Sequence, residues 1–443
     1  MSKIRLHGTS SGYTEIVPKA AAASNTLTAP STVGEIIAKD AAGAIGITSA
    51  KTNNINVGAA VTITASGINA TGVGVTVASI NDGPIGGRRN LIINGAMNVA
   101  QRGTSSILGG YQTVDRFRGD YGGEDEDPTQ AQITLTSSDT GPWAKGFRNA
   151  FQITNGNQTS GAGAADYAEF VHKMEAQDIA TSGWDYTSSS SYITLSFWIK
   201  SSVAQTYYTY LQTQDGTSQR YVFSMVLSAN TWTKIIKTIP GDSNLQFDNN
   251  NSNGLIIAFT AFYGTDWTAS GVSLDTWGAH SSATNTPDQT STWWTTNDAT
   301  FAITGVQLEL GSVATPFEHR SYVDELARCQ RYCWVSTYVS QAFLANGTSW
   351  NSDSVGGVIH LPVPMRADPT VTFSSGDDFQ SSMIFNNTKT LSGGMSRPYS
   401  SAPPYSEFSW RGINSGAFST GEGVILRYKD GQTGAAITAT AEL

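Results

Sequence analysis

The stretch "SYITLSFWIKS", residues 191–201, alternates apolar and polar side chains with a period of two. Successive side chains of an extended chain point to opposite faces, so one face of this stretch takes four large apolar residues. These residues are Ile193, Leu195, Phe197 and Ile199. Thr194, Ser196 and Lys200 fall on the other face. The pattern predicts a β-strand that buries one face and exposes the other.

Several further segments are rich in Val, Ile, Phe and Tyr and end at Gly, Asn or Ser, with no helical pattern between them. They are residues 147–156, 219–228, 230–241 and 253–264. Short β-rich segments that are separated by polar turns favour antiparallel sheets over a parallel sheet flanked by helices. We therefore expect an all-β protein with a central antiparallel β-sandwich of the jelly-roll type.

The composition agrees with this fold class and excludes several functions. Charged residues make up only 14% of the 443 residues, and 45 residues are Gly, which suits strands and turns better than helices. The net charge of −9 disfavours nucleic acid and anionic membranes as partners, because both need a basic patch. No apolar run is long enough to insert into a membrane. The N-terminus lacks the apolar core of a signal peptide, so we expect synthesis in the cytoplasm.

The apolar residues of "FAITGVQLEL", residues 301–310, change phase in the middle. Phe301 and Ile303 share one parity, whereas Val306, Leu308 and Leu310 share the other. One extra residue at Gly305, a β-bulge, would restore all five to one face. The alternative is two separate strands with a kink between them, and we favour the bulge.

Residues 321–334 carry the strongest helix signal of the chain. In "SYVD" the Ser321 hydroxyl can accept from first-turn N–H groups, and Asp324 can reach back to complete a capping box. Four residues at helical spacing form a stripe: Tyr322, Leu326, Cys329 and Cys333. We expect a helix that connects the sandwich to the region that follows it. Its stripe packs either on the sandwich of its own chain or around the three-fold axis of an oligomer.

We find no sequence motif for catalysis, for a metal or for a cofactor, and we expect a non-enzymatic protein. The five His residues are scattered, and the sequence contains no nucleophile elbow, His pair or phosphate-binding Gly loop. Only His319 lies near the two Cys residues, which we expect to pack as small apolar side chains. The acidic run "GGEDED", residues 122–127, is either a solvated turn or a cation site that lacks the spacing of a Ca²⁺ loop.

Five Trp residues lie in polar loops among Asp, Asn, Ser and Thr. An exposed aromatic ring can cover the C–H groups of a sugar while its polar neighbours bond to the hydroxyls. The candidate glycan-binding residues are Trp184, Asp266, Trp267, Trp277, Trp293 and Trp294. The alternative is that these rings close the ends of the sandwich or pack between subunits. We assign the strand residues Phe197 and Phe223 to the core.

The chain divides into four parts. Residues 1–87 contain short Val, Ile and Thr runs without Trp or Phe, and we predict a stalk that is partly ordered or packs on copies of itself. Residues 88–320 form the predicted sandwich, and residues 321–334 form the helix. Residues 335–443 hold several Pro and form a predicted smaller β domain, whose last two segments, "GEGVILRYKDG" and "AAITATAEL", look like a hairpin.

The segment "RRNLIINGAMNVAQRGTSS", residues 88–106, with "YQTVDRFRG", residues 111–119, resembles the opening of a jelly-roll module of phage tail-fibre and other virion receptor-binding proteins. In that family a strand N-L-I-x-N-G-x-M precedes Q-R-G-T-S and a Tyr-x-x-x-Asp-Arg-Phe segment. The module also closes with a strand and tail similar to "GVQLELGSVATPFEHRS", residues 305–321. The start "MSKIRLHGTSSGYTEI" resembles the virion-anchoring end of marine and cyanobacterial phage proteins.

The resemblance implies a phage virion fibre that attaches to the host surface. It leaves the ligand open, and we expect a surface glycan such as lipopolysaccharide or capsule. It also implies a homotrimer whose N-terminal segment contacts other virion proteins. The resemblance does not distinguish a tail fibre from a head fibre, and we favour the tail. A purely structural virion connector or decoration protein is the alternative. A polysaccharide-degrading tailspike is a third possibility, but such enzymes usually show long repeats, and we find no fixed repeat here.

Overall fold

The structure is a computed structural model that describes residues 4–7, 13–16, 89–383 and 387–443. The predicted stalk strands between residues 17 and 88 lie outside the described residues. Near the N-terminus two short strands, β1 (Ile4–His7) and β2 (Tyr13–Ile16), form an antiparallel hairpin.

The strands of the central region have the following bounds: β3 (Ser105–Ser106), β4 (Phe117–Gly122), β5 (Thr129–Thr134), β6 (Asn149–Thr154), β7 (Tyr167–Glu175), β8 (Tyr192–Ser201), β9 (Gln205–Thr213), β10 (Gln219–Leu227), β11 (Thr233–Pro240), β12 (Asn253–Tyr263), β13 (Trp277–Ala279) and β14 (Thr300–Leu310). One short helix, α1 (Ala176–Ala180), follows β7, and 3-10 turns occupy Trp143–Lys145 and Ser282–Thr284.

These strands form two six-stranded antiparallel sheets. Their orders are β13-β10-β9-β12-β7-β4 and β11-β8-β14-β6-β5-β3. The inward-facing side chains of both sheets form one apolar core, which includes the four apolar residues of β8 and the strand residue Phe223. The predicted all-β class and the antiparallel sandwich are confirmed, and the apolar face of β8 packs in the core as expected. The prediction that its other face is exposed is wrong: Thr194 and Ser196 are buried as well, and the Thr194 hydroxyl donates to the Gly311 carbonyl at 2.7 Å.

The predicted β-bulge at Gly305 is also confirmed. In the pairing of β14 with β8, Thr304 lies opposite Trp198 and Gln307 lies opposite Ser196, so β14 contains one extra residue. Gly305 has a φ of 64°, in the left-handed region that favours glycine. As a result the apolar residues on both sides of the bulge contact the same core.

The apolar segment "NLII" after Arg89 is not a strand, contrary to what the resemblance implies. Its backbone makes one bond along β14, from the Leu91 N–H to the Leu308 carbonyl at 2.9 Å. The Asn90 side chain bonds to the β14 backbone where a neighbouring strand would. Its Nδ2 donates to the Val306 carbonyl at 3.2 Å, and its Oδ1 accepts from the Leu308 N–H at 3.1 Å. A side chain therefore replaces backbone pairing beside the bulge.

A second group of strands follows the sandwich: β15 (Cys333–Val335), β16 (Phe343–Ser349), β17 (Ser354–His360), β18 (Thr370–Phe373), β19 (Phe379–Met383), β20 (Asn387–Thr390), β21 (Gly394–Ser396), β22 (Glu407–Ile413), β23 (Gly423–Tyr428) and β24 (Ile437–Thr440). A 3-10 turn at Gly376–Asp378 precedes β19. The sheet orders are β15-β24-β18 and β20-β19-β23-β16-β17-β22-β21, and both sheets contribute to one apolar core.

The predicted hairpin at the C-terminal end is wrong. Strand β23 pairs with β16 and β19, whereas β24 pairs with β15 and β18 in the other sheet. The sequence shows two alternating strands next to each other, but their apolar faces meet across the core, through residues such as Leu426 and Ile437. Facing sheets satisfy the same alternation as a hairpin, so the pattern alone does not distinguish the two arrangements.

The predicted connecting helix is shorter than expected. Helix α2 (Tyr322–Gln330) begins at Ser321, whose hydroxyl accepts from the Asp324 N–H at 3.2 Å and donates to the Asp324 carboxylate at 2.7 Å. The helix ends before Cys333, which belongs to β15, because pairing with β24 takes over the chain there. The prediction of a continuous helix to residue 334 is therefore wrong.

The stripe of α2 makes contacts within its own chain. Cys329 is buried with Ile93 and Tyr332, and Leu326 packs against the same cluster. Cys333 is buried as well, whereas the Tyr322 side chain is exposed. Burial raises the pKa of the Cys329 thiol well above its usual value, so it stays neutral as an apolar side chain does.

Candidate functional site

The outer face of the β13-β10-β9-β12-β7-β4 sheet carries a cluster of aromatic side chains. Strand β9 shows how the sequence builds it: Tyr207 points into the core, while Tyr208 and Tyr210 belong to the outer cluster. Strand β7 alternates in the same way, with Phe170 inward and Val171 outward. Aromatic residues on both faces of a strand show that this sheet face is not simply solvated.

A second β-bulge places Tyr263 in this cluster. In the pairing of β12 with β7, Thr260 lies opposite Glu169 and Phe262 opposite Ala168, so the register shifts by one residue. The shift turns Phe262 into the core and Tyr263 to the outer face. Without the extra residue the Tyr263 hydroxyl would lie on the opposite face of the sheet from Glu169.

On this outer face the Glu169 carboxyl group lies beside two tyrosine hydroxyls. The Tyr263 hydroxyl donates to its Oε2 at 2.6 Å and the Tyr210 hydroxyl at 3.2 Å, and the two hydroxyl oxygens are 3.0 Å apart. Burial of the carboxyl raises the pKa of Glu169 to about 7, although the tyrosine hydrogen bonds oppose the shift. Glu169 therefore keeps its proton at a higher pH than an ordinary glutamate side chain does.

Asp120 of β4 lies directly opposite Glu169 in the β4–β7 pairing. Its carboxylate is held by Arg118 on the same strand, with Nε at 2.7 Å from Oδ2. The negative charge of Asp120 adds to the rise of the Glu169 pKa after the larger effect of burial. The structure thus brings together two carboxyl groups that are distant in sequence.

Trp267 forms the wall of the site. The turn after β12 is fixed by a hydrogen bond from the Asp266 N–H to the Ala164 carbonyl at 2.9 Å. The Trp267 indole N–H donates to the Ala165 carbonyl at 3.0 Å, and its half-buried ring meets the Tyr167 ring edge-on with centroids 5.7 Å apart. The resulting concavity of about 240 Å³, the Trp267 cleft, is lined by Arg118, Asp120, Tyr167, Glu169, Tyr210, Tyr263, Trp267 and Asn285.

A second concavity of about 360 Å³ lies on the same sheet face, and we call it the Arg220 pocket. Its lining includes Arg220, Val222, Trp277, His280 and the loop residues 269–273. The Arg220 guanidinium lies 4.0 Å from the centroid of the Tyr210 ring, so these two side chains connect the pocket to the Trp267 cleft.

The structure separates the candidate residues into two groups. Trp267 and Trp277 are half-buried and line the cleft and the pocket, and Asp266 is exposed beside Trp267. Trp184, Trp293 and Trp294 are buried in the core instead of being exposed, which corrects the expectation for these three.

The buried Trp residues close the sandwich, as the alternative proposed. The Trp293 and Trp294 rings have no exposed surface, and their indole N–H groups donate to the carbonyls of Thr300 and Gly161, both at 3.2 Å. Trp294 also stacks on Phe262 with centroids 5.3 Å apart. Their polar sequence neighbours lie at the surface of the turn while the rings point inward, so polar flanks did not indicate exposure.

Sequence reasoning did not identify Glu169, Tyr210, Tyr263 and Arg220 as site residues. A signal was present in "TYYTYLQT", residues 206–213, where Tyr occurs at both parities of one strand. A half-solvated strand carries small polar residues on its outer face, so aromatic residues on both faces indicate a covered or ligand-binding surface.

The acidic run "GGEDED" supports a neighbouring loop. The Asp125 carboxylate accepts from the Ser160 N–H at 2.6 Å, and the Glu126 carboxylate accepts from the Asn157 N–H at 2.7 Å. Within the described ranges no group of three or more His, Cys, Asp or Glu side chains is arranged to hold a metal ion. No helix in the described part of the chain is long and apolar enough to cross a membrane.

No family model and no curated protein matches the chain. Solved structures that match it in part include the enzymatically active domain of bacteriophage CBA120 tailspike protein 4, at 12% identity and TM-score 0.27, over 50% of this chain and 21% of that chain. The family 11 carbohydrate-binding module from Clostridium thermocellum matches at 14% identity and TM-score 0.22, over 49% of this chain and 98% of its own. The N-terminal cellulose-binding domain of Cellulomonas fimi β-1,4-glucanase C matches at 12% identity and TM-score 0.24, over 49% and 99%. These values are too low to assign a family or a function.

Proposed function

We propose that the protein binds a glycan, without cleaving it, in the Trp267 cleft. The observation that carries the proposal is one concave site that combines a half-exposed aromatic wall, formed by Trp267 and Tyr167, with a polar floor at Glu169. Aromatic rings pack on the C–H groups of a sugar, and a few fixed polar groups set its orientation through its hydroxyls.

We further propose that this binding attaches a phage virion to its host. The support is the sequence resemblance at residues 88–119 and 305–321 to virion receptor-binding proteins. Under this proposal the chain acts as a homotrimer in a tail fibre, and residues 1–87 anchor it to other virion proteins. A surface glycan of the host is then the ligand of the cleft.

The first experiment measures retention of the purified protein by polysaccharides from the host envelope. We expect Trp267→Ala to lose most of this retention while the melting temperature stays nearly unchanged, because the ring is half-exposed. Trp143→Ala is the matched control, since Trp143 is also half-buried but packs at a different cluster. Trp294→Ala should instead cost about 3–5 kcal/mol of unfolding free energy, because its ring is fully buried.

The second measurement is the chain length of the polysaccharide after incubation. Unchanged length with retention supports the binding function. Shortened chains would contradict it, and Asp120 and Glu169 would then be the first residues to substitute, because glycosidases use a pair of carboxyl groups. No retention by any polysaccharide would favour a structural connector or decoration protein.

A further inference from the structure

Arg220 is a buried cation on the outer face of β10. The side chain is 6% exposed, and its strand position lies opposite Gln212 of β9 and Gly278 of β13. Its Nη2 donates to the Gln212 Oε1, and the guanidinium plane packs on Tyr210. Among the described residues its Nε and Nη1 find no hydrogen-bond acceptor. Since Nε carries one N–H and Nη1 carries two, at least three of the five guanidinium donors have no acceptor within the described ranges.

Within the described part of the chain, the positive charge of Arg220 also has no ion-pair partner. Among the described residues no carboxylate lies within 4.0 Å of its nitrogens. The acid that acts on it over a longer distance is Glu169, whose Oε2 accepts from Tyr210 and Tyr263 instead. A buried charge without an ion-pair partner is destabilising, so this arrangement favours an anion that reaches the guanidinium.

The surroundings of the Arg220 pocket favour an anion as well. No Asp or Glu is among the described residues that line it. Gln212 gives its Oε1 to Arg220, which fixes the amide so that its Nε2 faces the His280 Nδ1 at 3.3 Å. His280 Nδ1 therefore accepts, and the other ring nitrogen carries the proton as a donor.

We propose that the Arg220 pocket binds an oxyanion group of an acidic glycan, such as the carboxylate of a uronic acid or a sulfate ester, next to the sugar in the Trp267 cleft. This inference rests on the proposed function and defines its ligand class. Tyr210 links the two concavities, because it lines the cleft and packs on the guanidinium. One oligosaccharide would then contact the aromatic wall with one residue and Arg220 with the next.

The test compares paired polysaccharides that differ only in charge. Uronic-acid polymers and their carboxyl-reduced forms make one pair, and sulfated polymers and their desulfated forms make the other. Binding is measured at about 0.15 M salt, where exposed charges are screened beyond about 8 Å. The protein carries a net charge of −9, so long-range attraction does not favour acidic polymers.

We expect the unchanged protein to bind the acidic member of one pair at least about tenfold more tightly than its neutral counterpart. Arg220→Gln should bind both members alike. Arg148→Gln is the matched control, because Arg148 also packs on an aromatic ring, Trp143, at 3.7 Å, but lines neither concavity, and it should keep the preference. The pair that shows the preference identifies the oxyanion.

Three results separate this inference from the proposed function. Charge-independent retention that is lost in Trp267→Ala overturns the inference and leaves the glycan-binding function in place. A preference for acidic polymers that persists in Arg220→Gln also overturns it, because another cation is then responsible. Failure of every polymer to bind overturns both. The comparison of paired polymers on the unchanged protein needs no variant, so a folding defect of Arg220→Gln does not affect it.

Discussion

The Glu169 carboxyl group shows how one residue can change its chemistry through its surroundings. In sequence it is one acid among 35 Asp and Glu residues. In the folded protein it is buried, faces Asp120 of β4 and Arg220 of β10, and accepts from Tyr210 and Tyr263. Desolvation dominates these contributions and favours the neutral form, which raises its pKa.

Glu169 makes the stability of the protein depend on pH. Its folded pKa of about 7 lies above the ordinary value of 4.5, so the folded state keeps a proton that the unfolded state loses. The free energy of unfolding should therefore fall as the pH rises from about 4.5 to 7, by up to about 3 kcal/mol from this group. The loss is complete above pH 7, where both states are ionised.

Urea unfolding of the protein and of Glu169→Gln at pH 5 and pH 8 measures this contribution. The decrease in unfolding free energy between the two pH values should be smaller in Glu169→Gln, because the amide does not ionise. Asp115, whose pKa is also raised by burial, to about 6, contributes equally to both proteins and cancels in the comparison. Equal decreases in both proteins would show that Glu169 ionises normally.

Two β-bulges determine which side chains of β12 and β14 lie on the core face of their sheets and which lie on the outer face. The bulge at Gly305 keeps β14 facing the core on both sides of a phase change. The irregularity in β12 brings Tyr263 to the outer face beside Glu169. A bulge adds one residue to one strand. The strand can then keep its apolar side chains on the core face, or place on the outer face a side chain that regular alternation would turn inward.

Gly305→Ala should destabilise the sandwich. A Cβ at this position would lie 2.6 Å from the Phe147 ring, and the φ of 64° is strained for any residue with a side chain. We expect a loss of about 1–3 kcal/mol in unfolding free energy, measured by denaturant unfolding. Gly423→Ala in β23 is the control, because a Cβ there meets nothing within 4 Å. Equal effects of the two substitutions would contradict this account of the bulge.

Residues near the C-terminal end complete the sandwich. Glu442 pairs with the buried Arg116 and, at 3.0 Å, with Arg102, and both arginines belong to the central region. The Arg116 guanidinium also lies 3.5 Å from the centroid of the Tyr332 ring. The chain that follows α2 therefore returns to cover charged groups of the opening segment.

Glu442→Ala should cost about 3–5 kcal/mol of unfolding free energy, because it leaves the Arg116 charge buried without its carboxylate. Calorimetric unfolding measures the change. Glu407→Ala removes a carboxylate from the exposed His360–Glu407 pair, whose side chains are 79% and 52% exposed, and it should change stability by less than about 1 kcal/mol. A small effect of Glu442→Ala would mean that water solvates Arg116 in its place.

The proposed homotrimer predicts the mass of the protein in solution. Residues 1–88 contain no Trp or Phe, so one copy has little apolar surface to bury within itself. Three copies would bury apolar surface against one another. Light scattering at micromolar concentration should give about three times the 47.0 kDa mass of one chain. A mass near that of a single chain would contradict the trimer.

The strand class and the bulge at Gly305 were predictable from the amino-acid sequence. The period-two pattern of β8, the phase change at Gly305 and the cap at Ser321 are local, because each depends on neighbours within a few residues. Tertiary structure decided what local patterns leave open. Pairing with β24 ended α2 before Cys333, packing across a core separated β23 from β24, and burial removed Trp293 and Trp294 from the surface. The candidate site belongs to this second group, because Asp120, Glu169, Tyr210 and Tyr263 come from four strands that meet only through long-range pairing.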